Sequence, residues 1–228
     1  MSFLKRPSYL FLSFPNDVQS MLEDVRSHKL TVEVSHDRTF VSTDDMVDEA
    51  KRLGCDTVIN CVGLAAADLC QDNELIGARG ILMHFDRQST ERTFVGEDGT
   101  TESLQNDAVI AMEDGQWASD GYPCYLIPRR DLLVVGGSYL ENDTETTIRP
   151  EERERLLRYA TTLGIDPVAS PPIGEWVGSR PYRPTTRCGL DEERTEKSGL
   201  TFIHNYGHGG SGWTIATGVA REVASLIV

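Results

Sequence analysis

The sequence lacks the features that mark metal-binding, nucleic-acid-binding and membrane-spanning proteins. Its five cysteines form no CxxC pair, and no histidine lies at metal-ligand spacing from them, which argues against structural zinc. The odd number of cysteines favours a reducing compartment. No run of lysine and arginine offsets the net charge of −14, so phosphate backbones and anionic membranes would be repelled. No apolar stretch approaches the length of a membrane span. We therefore expect a soluble protein without nucleic-acid or membrane partners.

Targeting signals are also missing. The apolar run Tyr9–Leu12 is too short for a signal peptide and has no small-residue cleavage site after it. The last three residues, 226–228, are not the peroxisomal address Ser-Lys-Leu. We therefore see no targeting signal in the sequence given.

The first part of the chain alternates helix and strand. We predict a helix from Pro15 or Asn16, a strand at 30–34, and a strand over 57–62 that is apolar on both faces. Between the two strands lies a helix capped by Ser42 or Thr43, closed by Gly54, and carrying Met46, Val47, Ala50 and Leu53. A strand, a helix and a doubly buried strand indicate a parallel sheet.

From Gly80 the pattern changes to short strands that fit an antiparallel sheet. These strands are predicted over 81–85, 108–112, 124–127 and 132–135. Pro128–Asp131 forms a hairpin loop, and the polar segment 87–107 is predicted to be an exposed loop. A later helix is predicted to begin at Pro150 and to end at Gly164, with Leu156, Tyr159, Ala160 and Leu163 on its buried face. A strand over 201–204 and a helix over 213–227 follow it.

A glycine-rich turn lies between the last strand and the last helix. Residues 207–212 match G-x-G-x-x-G, but a dinucleotide fingerprint needs a second strand and an acidic residue about 20 positions later. The sequence given ends 16 residues after Gly212, so we expect this turn to close a fold. Its backbone can approach a flat ligand, such as the N1/C2 edge of a flavin, at a helix N-terminus. A tight turn with nothing bound is the alternative.

Two long blocks carry a resemblance to a known family. Residues 177–187 (VGSRPYRPTTR) and 204–212 (HNYGHGGSG) resemble the C-terminal signature of the D-amino-acid oxidase and D-aspartate oxidase family. Further blocks at 58–64, 79–80, 125–128 and 135–137 resemble the family in the same order, and the coverage runs from about Pro7 to the last residue.

The resemblance implies an α/β fold of mixed α+β type. It would contain an incomplete, Rossmann-like parallel sheet for FAD and an interleaved antiparallel sheet for substrate. We expect residues 1–79 to belong to the FAD-binding domain, 80–176 to the substrate-binding domain, and 177–228 to the return into the FAD-binding domain.

The same resemblance assigns substrate contacts. Arg180 resembles the arginine that binds the substrate α-carboxylate in a bidentate manner, although a surface salt bridge would also explain it. Tyr125 resembles the tyrosine that adds a second bond to the carboxylate, although it could be a core residue. The carbonyl of Gly210 would accept a bond from the substrate amino group. Tyr122 is a weak candidate for the active-site lid, because it is one residue out of step and Gly121 takes the matching place.

The cofactor contacts follow from the same alignment. The positions that match the flavin lining are Gly209, Gly210, Ser211, Gly212 and Thr214, the last of which would bond the pyrimidine edge. Phe40, or its neighbour Val41, falls where the family contacts adenine through its backbone.

Other polar residues near these motifs receive no part in the chemistry. We expect His204 and His208 to be structural, because the resemblance implies no catalytic histidine and no obligatory side-chain base. We expect Arg129 and Arg130 to face solvent, although two arginines in the hairpin could suggest acidic substrates.

The implied activity is oxidative deamination. A D-amino acid would pass its α-hydrogen as hydride to flavin N5, and hydrolysis of the imino acid would give a 2-oxo acid and ammonia. Oxygen would reoxidise the flavin to give hydrogen peroxide. The expected partners are a D-amino acid and O2, a homodimer is left open, and the expected location is the cytoplasm or the peroxisome.

One part of the family pattern has no counterpart. The family begins with a βαβ unit that has its own G-x-G-x-x-G and ribose-binding acid, and nothing in 1–62 replaces it. We expect unpaired strand edges and exposed apolar faces as a result. An incomplete gene model, an inactive truncated paralogue or binding remnant, and one subunit of a split enzyme each explain this. A glycine- or sarcosine-type amine oxidase is a further alternative, although it lacks the two long blocks.

Overall fold

The computed structural model describes residues 39–96, 98–112 and 120–227. The helix predicted from Pro15 or Asn16 and the strand predicted at 30–34 lie outside them. The described residues form two compact units: 79–140 with 145–178, and 39–78 with 141–144 and 179–227.

The two units contain five helices and ten strands in their described residues. The helices are α1 (Thr43–Arg52), α2 (Ala66–Leu69), α3 (Pro150–Thr162), α4 (Glu192–Ser198) and α5 (Gly212–Ser225). The strands are β1 (Thr57–Asn60), β2 (Ile76–Asp86), β3 (Arg92–Val95), β4 (Thr101–Leu104), β5 (Ile110–Met112), β6 (Cys124–Pro128), β7 (Leu132–Gly136), β8 (Leu140–Glu141), β9 (Gly174–Leu190) and β10 (Thr201–His208). Single 3₁₀ turns occur at Gly63–Ala65 and Gly209–Ser211.

The first unit is built on an antiparallel sheet, as predicted. Its strands follow the order β2-β7-β6-β5, and residues 129–131 form the hairpin loop between β6 and β7. Helix α3 begins at Pro150, with Glu152 accepting from the backbone N–H of the N-cap Arg149 at 2.9 Å. The buried core of this unit contains Ile81, Met83, Phe85, Cys124, Leu126, Leu133, Val135, Leu156, Tyr159, Ala160, Leu163 and Ile165. The sequence therefore predicted both the sheet and the buried face of α3.

Most of the segment 87–107 is exposed, as predicted, but it is not a loop throughout. It contains the antiparallel hairpin of β3 and β4, and Arg92 at its start is only 2% exposed. Arg92 Nε donates to the carbonyl of Leu163 at 2.9 Å, and Nη1 donates to the carbonyl of Gln105 at 2.9 Å. The loop prediction was wrong for β3 and β4. It also missed the burial of Arg92, whose Nε and Nη1 bond backbone carbonyls while its Nη2 has no hydrogen-bond partner among the described residues.

The second unit contains parallel and antiparallel pairing. Strand β1 pairs in parallel with β10, and β10 pairs antiparallel with β9. Ser42 caps α1 by accepting from the N–H of Asp45 at 3.1 Å. Met46, Val47 and Ala50 of α1 are buried with Leu200 and Phe202, and these five residues form the α1 cluster.

Two predicted burial patterns in this unit are wrong. Leu53 is 58% exposed, because α1 ends at Arg52 and Leu53 is its C-cap. Strand β1 is not buried on both faces: Val58 packs against the α1 cluster, whereas Ile59 is 43% exposed. Ile59 lies beside Ile203, which is buried, and Ile203 lies beside Leu190, which is 41% exposed. One face of this sheet therefore carries exposed apolar side chains on both sides of a buried one.

No helix in the described part of the chain has both the length and the apolar character needed to cross a bilayer.

A buried ion pair joins β2 to α3. The side chains of Arg79 and Glu152 are each 1% exposed, and Arg79 Nη1 lies 2.7 Å from Glu152 Oε1. Arg79 Nε donates to the Glu145 carbonyl at 2.7 Å, and the Tyr122 hydroxyl donates to Glu152 Oε1 at 3.1 Å. Burial by itself would raise the pKa of Glu152, but hydrogen bonds from Arg79, the Arg149 N–H and Tyr122 lower it to about 2. The carboxylate therefore remains ionised inside the core.

We expect this carboxylate to make stability depend on pH. Its folded pKa of about 2 is below the usual 4.5, so its contribution is complete above pH 4.5 and is lost as pH falls toward 2. Glu152→Gln should lower the free energy of unfolding by about 3 kcal/mol at neutral pH, and by much less at acid pH. Urea unfolding across pH measures this. Glu151→Gln, on the exposed side of the same turn, is the control, and an equal loss at both pH values would contradict the assignment.

Candidate active site

Strand β9 and the turn after β10 bring two of the predicted substrate contacts together. Tyr182 on β9 pairs with His208 at the end of β10, which places Arg180 next to the glycine turn. A Cβ added to Gly210 would lie 3.5 Å from Arg180 Cδ. The side chain of Arg180 thus lies against the backbone of Gly210, and both residues belong to the second unit.

The turn itself leaves a helix N-terminus open. Gly207 and Gly209 have φ angles of +84° and +54°, in the left-handed region that favours glycine. Helix α5 begins at Gly212, and the N-cap Ser211 makes no side-chain hydrogen bond to the first turn. Thr214 in that turn is exposed. The first N–H groups of α5 therefore have no side-chain cap, which fits a ligand edge that carries negative charge.

The histidines of the motif have different surroundings. His204 is 2% exposed, and its Nε2 lies 3.0 Å from Asp191 Oδ2. Its Nδ1 lies 3.1 Å from Asn60 Nδ2, and Asn60 Oδ1 accepts from the Val62 N–H at 3.3 Å. Because Nδ1 faces a donor, it acts as acceptor and the proton is on Nε2. Burial lowers the pKa of His204. The neutral ring therefore joins β1 to β10, as expected of a structural histidine.

His208 lies at the start of the glycine-rich turn, and one of its ring nitrogens is buried. Within the described residues, its Nε2 has no hydrogen-bond partner. Burial lowers the pKa of this imidazole. The neutral ring therefore brings an unsatisfied polar atom to the start of the turn, which also fits a polar ligand there.

The first unit carries Tyr125. It pairs with Gly136 across β6 and β7, and its ring lies over Gly136 and Gly137. A Cβ added to Gly137 would lie 2.5 Å from the Tyr125 hydroxyl oxygen. The two glycines therefore make room for the tyrosine ring, which gives a physical reason for the glycine pair in that block.

Tyr122 is tied into the core of the first unit. The hydroxyl of Tyr122 donates to Glu152, and its backbone carbonyl accepts from the Tyr159 hydroxyl at 2.5 Å. The Arg155 guanidinium lies 4.3 Å from the centre of its ring. Burial, together with Glu152, raises its pKa. The substrate role considered for Tyr122 stays a prediction, and its hydroxyl already has a structural partner.

Phe40 and its neighbour stay predicted adenine contacts. Phe40 packs against the α1 cluster, whereas Val41 is 81% exposed and its N–H donates to Asp45 Oδ2 at 3.2 Å. The hairpin arginines Arg129 and Arg130 are exposed, as expected.

Sequence reasoning missed one buried acid close to Arg180. Asp72, in the loop after α2, is 7% exposed and accepts hydrogen bonds from Arg183 at 3.0 Å and from the Tyr206 hydroxyl at 2.9 Å. No local pattern marks Asp72, because its partners lie 111 and 134 positions further along the chain.

Comparisons with known proteins identify the family of the chain. The family model described as FAD dependent oxidoreductase matches residues 21–226. D-aspartate oxidase 1 of Caenorhabditis elegans is 28% identical over 191 residues, which cover 79% of this chain and 48% of that protein. A D-amino-acid oxidase of Rubrobacter xylanophilus is 31% identical over 173 residues, which cover 76% of this chain and 46% of that protein. The chain thus spans about half the length of the curated relatives it matches.

Solved structures show the same fold. A glycine oxidase from Geobacillus kaustophilus matches with a TM-score of 0.55 at 17% identity, over 75% of this chain and 41% of that one. A glycine oxidase from Bacillus cereus matches with a TM-score of 0.54 at 18% identity, over 75% of this chain and 42% of that one. The described part of the chain therefore shares the mixed α/β fold of these structures.

We expect Gly207 to be intolerant of a side chain. A Cβ there would lie 2.8 Å from Arg183 Cβ, on a residue whose φ is +84°. Gly207→Ala should therefore lower the free energy of unfolding by about 1–3 kcal/mol, as measured by urea unfolding. Gly218→Ala is the control, because nothing lies within 4 Å of a Cβ at that position in α5. Equal stability of the two variants would contradict the tight approach of β9 to the turn.

Proposed function

Because this chain belongs to the FAD-dependent oxidoreductase family, we propose that it acts in the oxidative deamination of D-amino acids to 2-oxo acids, ammonia and hydrogen peroxide. The observation that carries the proposal is Arg180 lying against Gly210 at the open N-terminus of α5. Relatives named D-amino-acid oxidase and D-aspartate oxidase support it.

Arg180 supplies carboxylate recognition in this proposal. A guanidinium offers two parallel N–H donors that match the two oxygens of a carboxylate. The carbonyl of Gly210 would accept a hydrogen bond from the substrate amino group. Two contacts on neighbouring backbone segments would fix the α-carbon between them, which is orientation without a side-chain base.

Residues of the turn would hold the flavin. Gly209, Gly210 and Ser211 form the 3₁₀ turn, and Gly212 and Thr214 lie in the first turn of α5. The uncapped N–H groups there would stabilise negative charge on the pyrimidine edge, and the Thr214 hydroxyl would add a hydrogen bond. When bound, FAD would accept the hydride that the substrate α-carbon loses.

Tyr125, in the first unit, stays a predicted carboxylate contact. Its ring is fixed over Gly136 and Gly137, so its hydroxyl has a defined direction. A rigid phenol loses little freedom on binding a substrate.

The first expected result is flavin retention. We expect the purified chain, mixed with excess FAD, to keep visible flavin bands after gel filtration. Activity should follow with D-alanine or D-aspartate as substrate, measured as hydrogen peroxide release. Turnover of sarcosine or glycine in place of D-amino acids would favour a glycine-type amine oxidase. Loss of all flavin from folded protein would reject the activity for this chain alone.

The second expected result concerns Arg180. Arg180→Ala should raise the KM for a D-amino acid by about 100-fold or more, with a smaller change in kcat, because carboxylate binding is lost from ground and transition states alike. Arg129→Ala, which removes an exposed hairpin arginine, is the matched control and should leave the KM unchanged. Unchanged KM values for D-alanine and D-aspartate in Arg180→Ala would reject the assignment.

A further inference from the structure

The strand that carries Arg180 is interrupted by a bulge. Tyr206 pairs with Arg187 and His208 pairs with Tyr182, so residues 183–186 of β9 face the single residue Gly207 of β10. Because side chains alternate along a strand, adding or removing one residue in this bulge would turn Arg180 away from the glycine turn. The bulge therefore sets which β9 side chain reaches Gly210.

Arg183 closes the bulge at one end. Its Nε donates to Asp72 Oδ2 at 3.0 Å, its Nη1 donates to the Thr185 carbonyl at 2.5 Å, and its Nη2 bonds Glu74. Thr185 lies inside the bulge, where no β10 residue pairs with it. One guanidinium therefore satisfies a carbonyl of the bulge and fixes the bulge to the loop that holds Asp72.

Asp72 connects both ends of the bulge to the facing strand. Its Oδ2 accepts from Arg183 and from the Tyr206 hydroxyl, and Arg187 Nη1 donates to that hydroxyl at 2.9 Å. Its Oδ1 accepts from the Glu74 N–H at 3.1 Å. Burial by itself would raise the pKa of Asp72, but hydrogen bonds from Tyr206, the Glu74 N–H and Arg183 lower it. An ionised, oriented carboxylate thus sits where β9, β10 and the loop meet.

We propose that Asp72 is a positioning residue which, through Arg183 and Tyr206, fixes the β9 bulge and so holds Arg180 against Gly210. The proposal rests on the proposed function in one respect, namely that Arg180 binds a carboxylate. The juxtaposition that Asp72 maintains is a separate, measurable property of the chain.

The test combines two variants with one control. Asp72→Asn removes the charge that Arg183 requires, and Tyr206→Phe removes only the hydroxyl, so it keeps the test informative if the first variant does not fold. Glu74→Gln is the control, because its side chain is 64% exposed and bonds the same arginine, and it makes no hydrogen bond to Tyr206 among the described residues. An exposed ion pair of this kind contributes little.

Two readouts separate position from function. The first is the NOE between the Arg180 δ-protons and the Gly210 α-protons, which needs no ligand. The second is the dissociation constant of propionate, a carboxylate without an amino group, measured from the Arg180 Nε–H signal in the FAD-treated chain. Arg180→Lys assigns that signal.

We expect Asp72→Asn and Tyr206→Phe to lose or weaken the NOE and to weaken propionate binding by about tenfold, while Glu74→Gln changes neither. A wild-type NOE in folded Asp72→Asn would overturn the proposal, as would the same loss in Glu74→Gln. An NOE that depends on Asp72 in a chain that binds no propionate would support the positioning role and reject carboxylate binding by Arg180.

Discussion

The register between β9 and β10 is the constraint on which the candidate site depends. These strands run antiparallel, and their pairing shifts between Tyr206 and His208. The shift brings the backbone of the glycine turn against Arg180, and the left-handed φ of Gly207 lets the strand pass beside Arg183. The position of Arg180 on β9 depends on β10, and the position of Gly207 on β10 depends on β9. Site geometry in the second unit is therefore a property of strand pairing more than of the glycine motif alone.

Buried charge recurs in both units, with different partners. In the first unit, Arg79 is bonded to Glu152, whereas Arg92 is bonded to backbone carbonyls. In the second unit, Asp72 is bonded to Arg183 and Tyr206. Buried ionic groups cost desolvation free energy, and the hydrogen bonds that they make specify geometry. Such groups fix particular loops and strand ends in positions that apolar packing alone would leave less defined.

Local signals predicted local structure well. Helix α3 follows from Pro150 and the spacing of Leu156 and Tyr159, and α1 from its cap Ser42, because caps and periodicity act over one or two turns. The hairpin that starts at Arg92 was missed because its sequence is polar, and the burial of Arg92 itself depends on carbonyls elsewhere in the fold.

The candidate site was predictable to a similar extent. The sequence motifs contain Arg180 and Gly210, but only the family resemblance indicated that both residues would contact one substrate. Asp72 was missed, since its contacts span more than a hundred positions. Sequence patterns describe what lies within a few turns of a residue, and bonds between distant segments become visible only when the strands are paired.

The half-exposed side chains of Ile59 and Leu190, on either side of buried Ile203, have a consequence for the behaviour of the chain in solution. Copies that carry a net charge of −14 repel one another at low ionic strength. Added salt shortens the range of this repulsion to about 10 Å at 0.1 M. Apolar attraction has no such screening. Ionic strength therefore sets the balance between colloidal repulsion and contact through this face of the sheet.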